Sequence, residues 1–172
     1  AEELKAEGGV ISGEQFVDEC QVESDLELLL PATYVTGSSE RMLLYRELDS
    51  LTLDKDVEAF RNRLIDRFGP VPSETEELLR IVPLRRLAAR LGAEKVFLKG
   101  GRMSLFFISN PESPYYQSQA FGKVIAYMMK YTRRCDLREQ NTRRSMLVKD
   151  VKNVETAVGV LQEIVAMQVE EG

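Results

Sequence analysis

The sequence predicts an α+β fold in which helices pack on short antiparallel β-hairpins within one compact domain. Three observations lead there. Apolar residues recur at three- and four-residue spacing through most of residues 42–92, the pattern of amphipathic helices. Two stretches, 95–108 and 134–149, break it with short apolar runs around turn signals, which read as hairpins. The order of elements is strand, helices, hairpin, helix, hairpin, helix, without the regular strand and helix alternation that a parallel doubly wound sheet requires. No repeat of fixed period is present.

Residues 1–20, with Gly8, Gly9 and Gly13, show weak periodicity and read as a linker or the tail of something upstream, leaving 21–172 as the domain. Val22, Leu26, Leu28 and Leu30 then fall at even positions among Glu23, Asp25 and Glu27, the two-residue period of a half-buried strand that Pro31 ends. Gly37-Ser38-Ser39 supplies a turn and an N-cap for a helix outlined by Met42, Leu43, Tyr45, Leu48 and Leu51. Val57, Phe60, Leu64, Ile65 and Phe68 mark a second helix over 55–68, which Gly69 and Pro70 stop. Asp66 and Arg67 sit in its last turn. The carbonyl end of a helix carries partial negative charge, so Arg67 suits that position and Asp66 does not.

Ser73-Glu74-Thr75-Glu76 has the capping-box pattern and opens a third helix, with a kink or two abutting helices expected at Pro83 and a stop at Gly92. Val96-Phe97-Leu98 and Leu105-Phe106-Phe107-Ile108 flank Gly100-Gly101 as a tight hairpin. After a loop holding Pro111 and Pro114, in which exposed aromatics are expected, Phe121, Val124, Ile125, Met128 and Met129 outline another helix, the methionines as core filler. Residues 134–140 and 143–149 form the second hairpin. Asn153 caps a last helix with Val154, Ala157, Val158, Leu161, Ile164 and Val165 on one face.

Composition removes whole classes of chemistry. A chain of 172 residues can bury a full core, so no disulfide or metal is needed, and Cys20 and Cys135 form no C-x-x-C pair. With no histidine, Ser-His-Asp, Cys-His and His-ligated metal sites are all excluded. Gly122-Lys123-Val124 lacks the glycines of a phosphate loop, and no serine lies in a G-x-S-x-G elbow. Glu76/Glu77 and Asp54/Asp56 sit at helix starts, where the dipole explains them without catalysis. No run is long and apolar enough to span a membrane and the first residues are charged, so a soluble cytoplasmic domain is expected. The net charge of -5 argues against non-specific nucleic-acid binding by the whole surface. Two arginine clusters, 80–90 and 133–144, nevertheless give a nucleic-acid-binding module as the alternative reading.

Pro31-x-x-Tyr34-Val35, Arg41-Met42-x-x-Tyr45, Leu64-Ile65-Asp66-Arg67-Phe68-Gly69, Leu78-Leu79 and Leu87 to Gly92 together resemble the C-terminal domain of the bacterial transcription-repair coupling factors. The resemblance covers about residues 22–168 and is strongest over 30–92. It implies a parent protein that is an ATP-driven DNA translocase, whose motor, with its ATP and Mg, lies in a helicase region upstream, so that no cofactor belongs to this fragment. It implies a non-enzymatic regulatory domain that binds an N-terminal UvrB-like module of the same protein and masks the surface that takes UvrA until RNA polymerase is engaged. DNA would be contacted through other domains. By the same resemblance Asp66 and Arg67 are contact residues toward that module. Arg63 stands where relatives commonly carry an acidic residue, so the charge pattern of the contact differs here. Tyr34, Arg41 and Tyr45 also match, and are expected to serve packing and turn hydrogen bonds.

Overall fold

The computed structural model describes residues 16–169. Its elements, in chain order, are β1 (Gln21–Ser24), α1 (Ser38–Ser50), α2 (Asp54–Phe68), α3 (Ser73–Arg90), β2 (Ala93–Lys99), β3 (Arg102–Phe107), a 3-10 turn (Pro114–Gln117), α4 (Gln119–Lys130), β4 (Cys135–Gln140), β5 (Arg143–Val148) and α5 (Val154–Val165). The strands make one sheet in the order β1-β2-β3-β5-β4. β1 runs parallel to β2, and every other pairing is antiparallel. The α+β class with two hairpins is therefore observed, with one parallel edge strand added.

Both hairpins close as the residues predict. Gly100 and Gly101 have φ of 61° and 73°, and Asn141 and Thr142 repeat that geometry at 53° and 63°, the positive-φ pair of a two-residue turn that matches strand twist. Alternation along the paired strands sends Val96, Leu98, Met103, Leu105, Met146 and Val148 to one face, where α3, α4 and α5 cover them. That is the main core. A second core gathers Leu30, Val35, Leu48, Phe60, Leu64, Leu79 and Val82 between α1, α2 and the first half of α3.

α3 serves both cores. Leu79 and Val82 enter the second, and Leu84, Leu87 and Ala88 enter the main one. Pro83 stands at the changeover, inside an unbroken helix of 18 residues, where two separate helices were one of the expected outcomes. Gly92 then turns the chain into β2 with φ of 87°.

Four local expectations are corrected. The first strand is four residues long, because the Ser24 hydroxyl accepts from the Leu26 amide at 3.0 Å and curls the chain away from β2. Leu26 and Leu28 still reach the main core, and Leu30 the second, so the alternation marks a crossing between cores. The capping box does not form: Pro72 is the N-cap of α3, the Thr75 hydroxyl donates to the Leu29 carbonyl at 2.8 Å, and Glu76 turns to Arg61. The two-proline loop hides its aromatics, since Tyr115 is fully buried among Phe16, Phe107 and Phe121 and donates its hydroxyl to the Leu91 carbonyl. Met129 is exposed, whereas Met128 packs on the core as expected. The linker expected over 1–20 lies largely outside the described residues; within its last five, Val17 and Cys20 are buried in the main core.

Candidate functional site: the outer edge of α1 and α2

Phe60 and Leu64 bury one face of α2, and Val57 and Phe68 pack beside them. That leaves Arg63 and Arg67, one turn apart, on the flank toward α1. There Arg63 pairs with Glu47 and Arg67 with Glu40. The partners on α1 are two turns apart and in reversed order, so the helices run antiparallel and the two bridges span their seam. Each guanidinium also lies over a ring of its own helix, Arg63 above Phe60 at 5.4 Å and Arg67 above Phe68 at 4.8 Å. Both pairs face solvent, so they fix geometry more than they stabilise.

Between Glu40 and Glu47, α1 exposes Met42, Leu43 and Arg46. Met42 is 57% exposed and Leu43 63%, the two most exposed large apolar side chains of the three-helix region. Asp66, one residue before Arg67, is exposed, and its carboxylate makes no hydrogen bond or ion pair among the described residues. The three residues singled out from sequence thus divide. Arg63 and Arg67 are held within the domain, and Asp66 is unpartnered in the last turn of a helix, where its charge is unfavourable.

The matched residues around the first turn are structural. The Tyr34 hydroxyl donates to the Gly69 carbonyl at 2.8 Å, with the Leu64 carbonyl at 3.2 Å, which satisfies carbonyls at the end of α2. Burial, and then the Glu76 carboxylate, raises the pKa of Tyr34. Arg41 donates to the carbonyls of Val35 and Thr36, and the Tyr45 hydroxyl accepts from the Leu30 amide at 2.7 Å. Gly69 closes α2 with φ of 88° and open space around its α-carbon.

The arginine clusters are mostly spent inside the domain. Arg80 pairs with Glu77, Arg85 with Asp49, Arg86 with Asp54, Arg138 with Asp136 and Arg144 with Glu139. Arg134 donates to the Lys149 and Asp150 carbonyls. A cleft of about 370 Å³ between α1, α3 and residues 18–20 holds Cys20, Arg85 and Arg86. It contains no nucleophile and base in contact: the Cys20 thiol is buried, and burial pushes its pKa up to about 12. No group of three metal-ligating side chains occurs among the described residues. No described helix is long and apolar enough to cross a membrane.

Comparison with known proteins adds the relationship. The model of the TRCF domain matches residues 24–118. The transcription-repair-coupling factor of Rickettsia bellii (strain RML369-C) is 30% identical over 132 residues, covering 76% of this chain and 11% of that protein. That of Rickettsia typhi (strain ATCC VR-144 / Wilmington) is 25% identical over 138 residues, covering 80% of this chain and 12% of its own length. The chain therefore spans about an eighth or less of these relatives. A crystal structure of the C-terminal domain of transcription-repair coupling factor superposes with a TM-score of 0.65 at 17% identity, over 86% of this chain and 93% of that one, which shows the shared fold. With more than half its length inside that family model, this chain belongs to the TRCF domain family of the transcription-repair coupling factors.

Proposed function

We propose that this domain is a regulatory, non-enzymatic module of a DNA translocase, binding an N-terminal UvrB-like module of its own protein and masking the UvrA-binding surface until RNA polymerase is engaged. The observation that carries the reading is the outer edge of α1 and α2. Asp66 is an unpaired carboxylate at a helix end that disfavours it, one residue before Arg67, while α1, tied to α2 through Glu40 and Glu47, exposes Met42 and Leu43. A charge kept without an internal partner, with exposed apolar surface on the helix tied to its own, is the composition of a small interface. Tethering supplies the rest: within one chain the effective concentration is high, so a modest polar contact masks a site and still releases it.

The exposure and pairing of these side chains support the following contact roles. Asp66 accepts from a basic group on the partner module, and Met42 and Leu43 cover apolar surface there. Arg67 and Arg63 contribute as preset bridges, since opening them costs the α1–α2 seam its two ties. In the full-length protein, Asp66→Arg raises UvrA affinity and basal ATPase activity, and Leu43→Glu does the same. Unchanged UvrA binding in both variants, with the fold intact by circular dichroism, would overturn the assignment of this edge. The nucleic-acid reading based on the arginine clusters has less support, because most of those arginines already have acidic or carbonyl partners.

A further inference from the structure

The sheet has a second face that none of the packing above uses. Register places Lys95, Phe97 and Lys99 of β2, and Arg102, Ser104 and Phe106 of β3, on the side opposite the helices. Phe97 and Phe106 are only partly buried and belong to neither apolar core. Their rings meet edge to face, with centroids 5.3 Å apart and planes at 83°. Cations stand over both. The Lys95 and Lys99 ammonium groups lie 5.4 and 5.1 Å from the Phe97 centroid, and the Arg143 guanidinium lies 5.7 Å from that of Phe106.

Charge on this face opposes that of the chain. Lys95 and Lys99 share one carboxylate, Glu23, at 3.7 and 3.9 Å. Arg143 pairs with Glu94, and its Nε is buried without a hydrogen-bond partner. Arg102 is exposed and has no ion-pair partner among the described residues. Asp18 and Glu19 line a cleft with Lys95 and Arg143 at one end of the face, so its cationic part is the Lys99–Arg102 end, a directed field on a chain of net charge -5.

We infer that this face binds single-stranded nucleic acid, stacking a base on the Phe97–Phe106 pair while Lys95, Lys99 and Arg102 take the phosphates. Along β2 a cation, a ring and a cation alternate every second residue, a repeat of about 7 Å, so charge and π surface reach a ligand side by side. An extended strand offers that same combination, a flat base and an anion in each repeat. An acidic protein surface would satisfy the cations and leave the rings unused. Duplex DNA, its bases stacked internally, would do likewise. Two perpendicular rings suit one stacked base with the second ring against its edge. The two lysines above the Phe97 ring are on flexible stems and move to phosphate as the base enters. This surface is distinct from the α1–α2 edge, and its test is independent of the masking function.

The experiment is fluorescence anisotropy of the 172-residue chain with a labelled oligothymidylate of about 15 nucleotides, at low salt. Saturable binding is expected, at least about fivefold tighter than to blunt duplex of equal length. Phe97→Leu and Phe106→Leu keep the apolar volume and remove the ring, and each weakens binding by about fivefold or more. Lys95→Gln with Lys99→Gln lowers the slope of log affinity against log salt by about 0.7 for each phosphate left without its cation. Thermal melts confirm that all variants fold. Absence of binding at low salt overturns the inference. So does binding that the leucine variants leave unchanged, or that polyglutamate competes as well as oligothymidylate does, since either would reduce the face to a patch of charge.

Discussion

Glu77 caps a helix to which it does not belong: its Oε1 accepts from the Val154 amide at 2.6 Å, and its Oε2 from Glu155 at 3.1 Å. Both amides are in the first turn of α5, where backbone donors have no partner within the helix. Asn153 supplies the ordinary cap, accepting from Thr156 at 2.7 Å. The carboxylate also meets the positive end of the α5 dipole and is steadied by Arg80 at 2.9 Å. Glu77→Ala is expected to lower stability by about 1–2 kcal/mol, because it strands two helix-end donors. Glu77→Gln keeps an acceptor and should lose less, about 0.5 kcal/mol. Urea unfolding of the two variants checks the order.

Two glycines with nearly the same positive φ should respond very differently to a side chain. Gly92 and Gly69 have φ of 87° and 88°, so alanine at either position carries the strain of a positive φ, about 1–3 kcal/mol. At Gly69 nothing lies within 4 Å of an added Cβ. At Gly92 that atom would fall 2.0 Å from Cε1 of Tyr115, whose ring is buried and anchored through its hydroxyl to Leu91. The ring has no room to retreat. Gly92→Ala is expected to cost more than Gly69→Ala, on the order of 3–5 kcal/mol. Thermal melting of the pair measures the difference, and equal losses would mean that the Tyr115 pocket is pliable.

Helix existence was legible because it rests on local information: the spacing of Phe60, Leu64 and Phe68, a glycine after it, an asparagine before Val154. What eluded the sequence was set by partners far along the chain. Glu76 and Glu77 read as dipole charges of their own helix, yet their partners are Arg61, 15 residues away, and the start of α5. Arg67 and Asp66 look alike as neighbouring charges, but Glu40, 27 residues before Arg67, holds only the arginine. In Leu105-Phe106-Phe107-Ile108 the unbroken apolar run conceals that Phe106 turns outward while Phe107 is core; only the pairing with Lys95 reveals it. Leu26, Leu28 and Leu30 show the opposite failure, alternation without a strand, because an irregular segment can also feed two cores.

The cysteines should behave as buried apolar side chains. Cys20 and Cys135 are free and both buried, and desolvation raises both thiols, that of Cys20 to about 12 despite the nearby Arg85. Since the thiolate is the reactive species, little of it exists at pH 8 in the folded chain. A chromogenic thiol reagent is expected to label neither residue quickly in buffer and both at once in urea. Rapid labelling of one thiol in buffer would show that its segment opens on its own.

The tie between α2 and α3 should make stability depend on acid. Arg61 donates to Glu76 through two nitrogens, at 2.9 Å from Nε and 2.7 Å from Nη2, the bidentate arrangement of a guanidinium and a carboxylate. That hydrogen bonding, ahead of the opposing effect of burial, lowers the Glu76 pKa below its ordinary value of 4.5. A carboxyl whose folded pKa lies below its unfolded one adds stability that is complete above the unfolded value and disappears as pH falls through the folded one. The side chains are 35% and 26% exposed, so solvent screening limits the contribution to about 1 kcal/mol or less. Glu76→Gln should therefore destabilise the chain by about that amount at pH 7. The gap should begin to close below pH 4.5 and vanish once Glu76 is protonated in the folded chain too. Urea midpoints of both proteins across that range test it, and a gap that persisted unchanged into acid would assign the loss to packing at Arg61 instead.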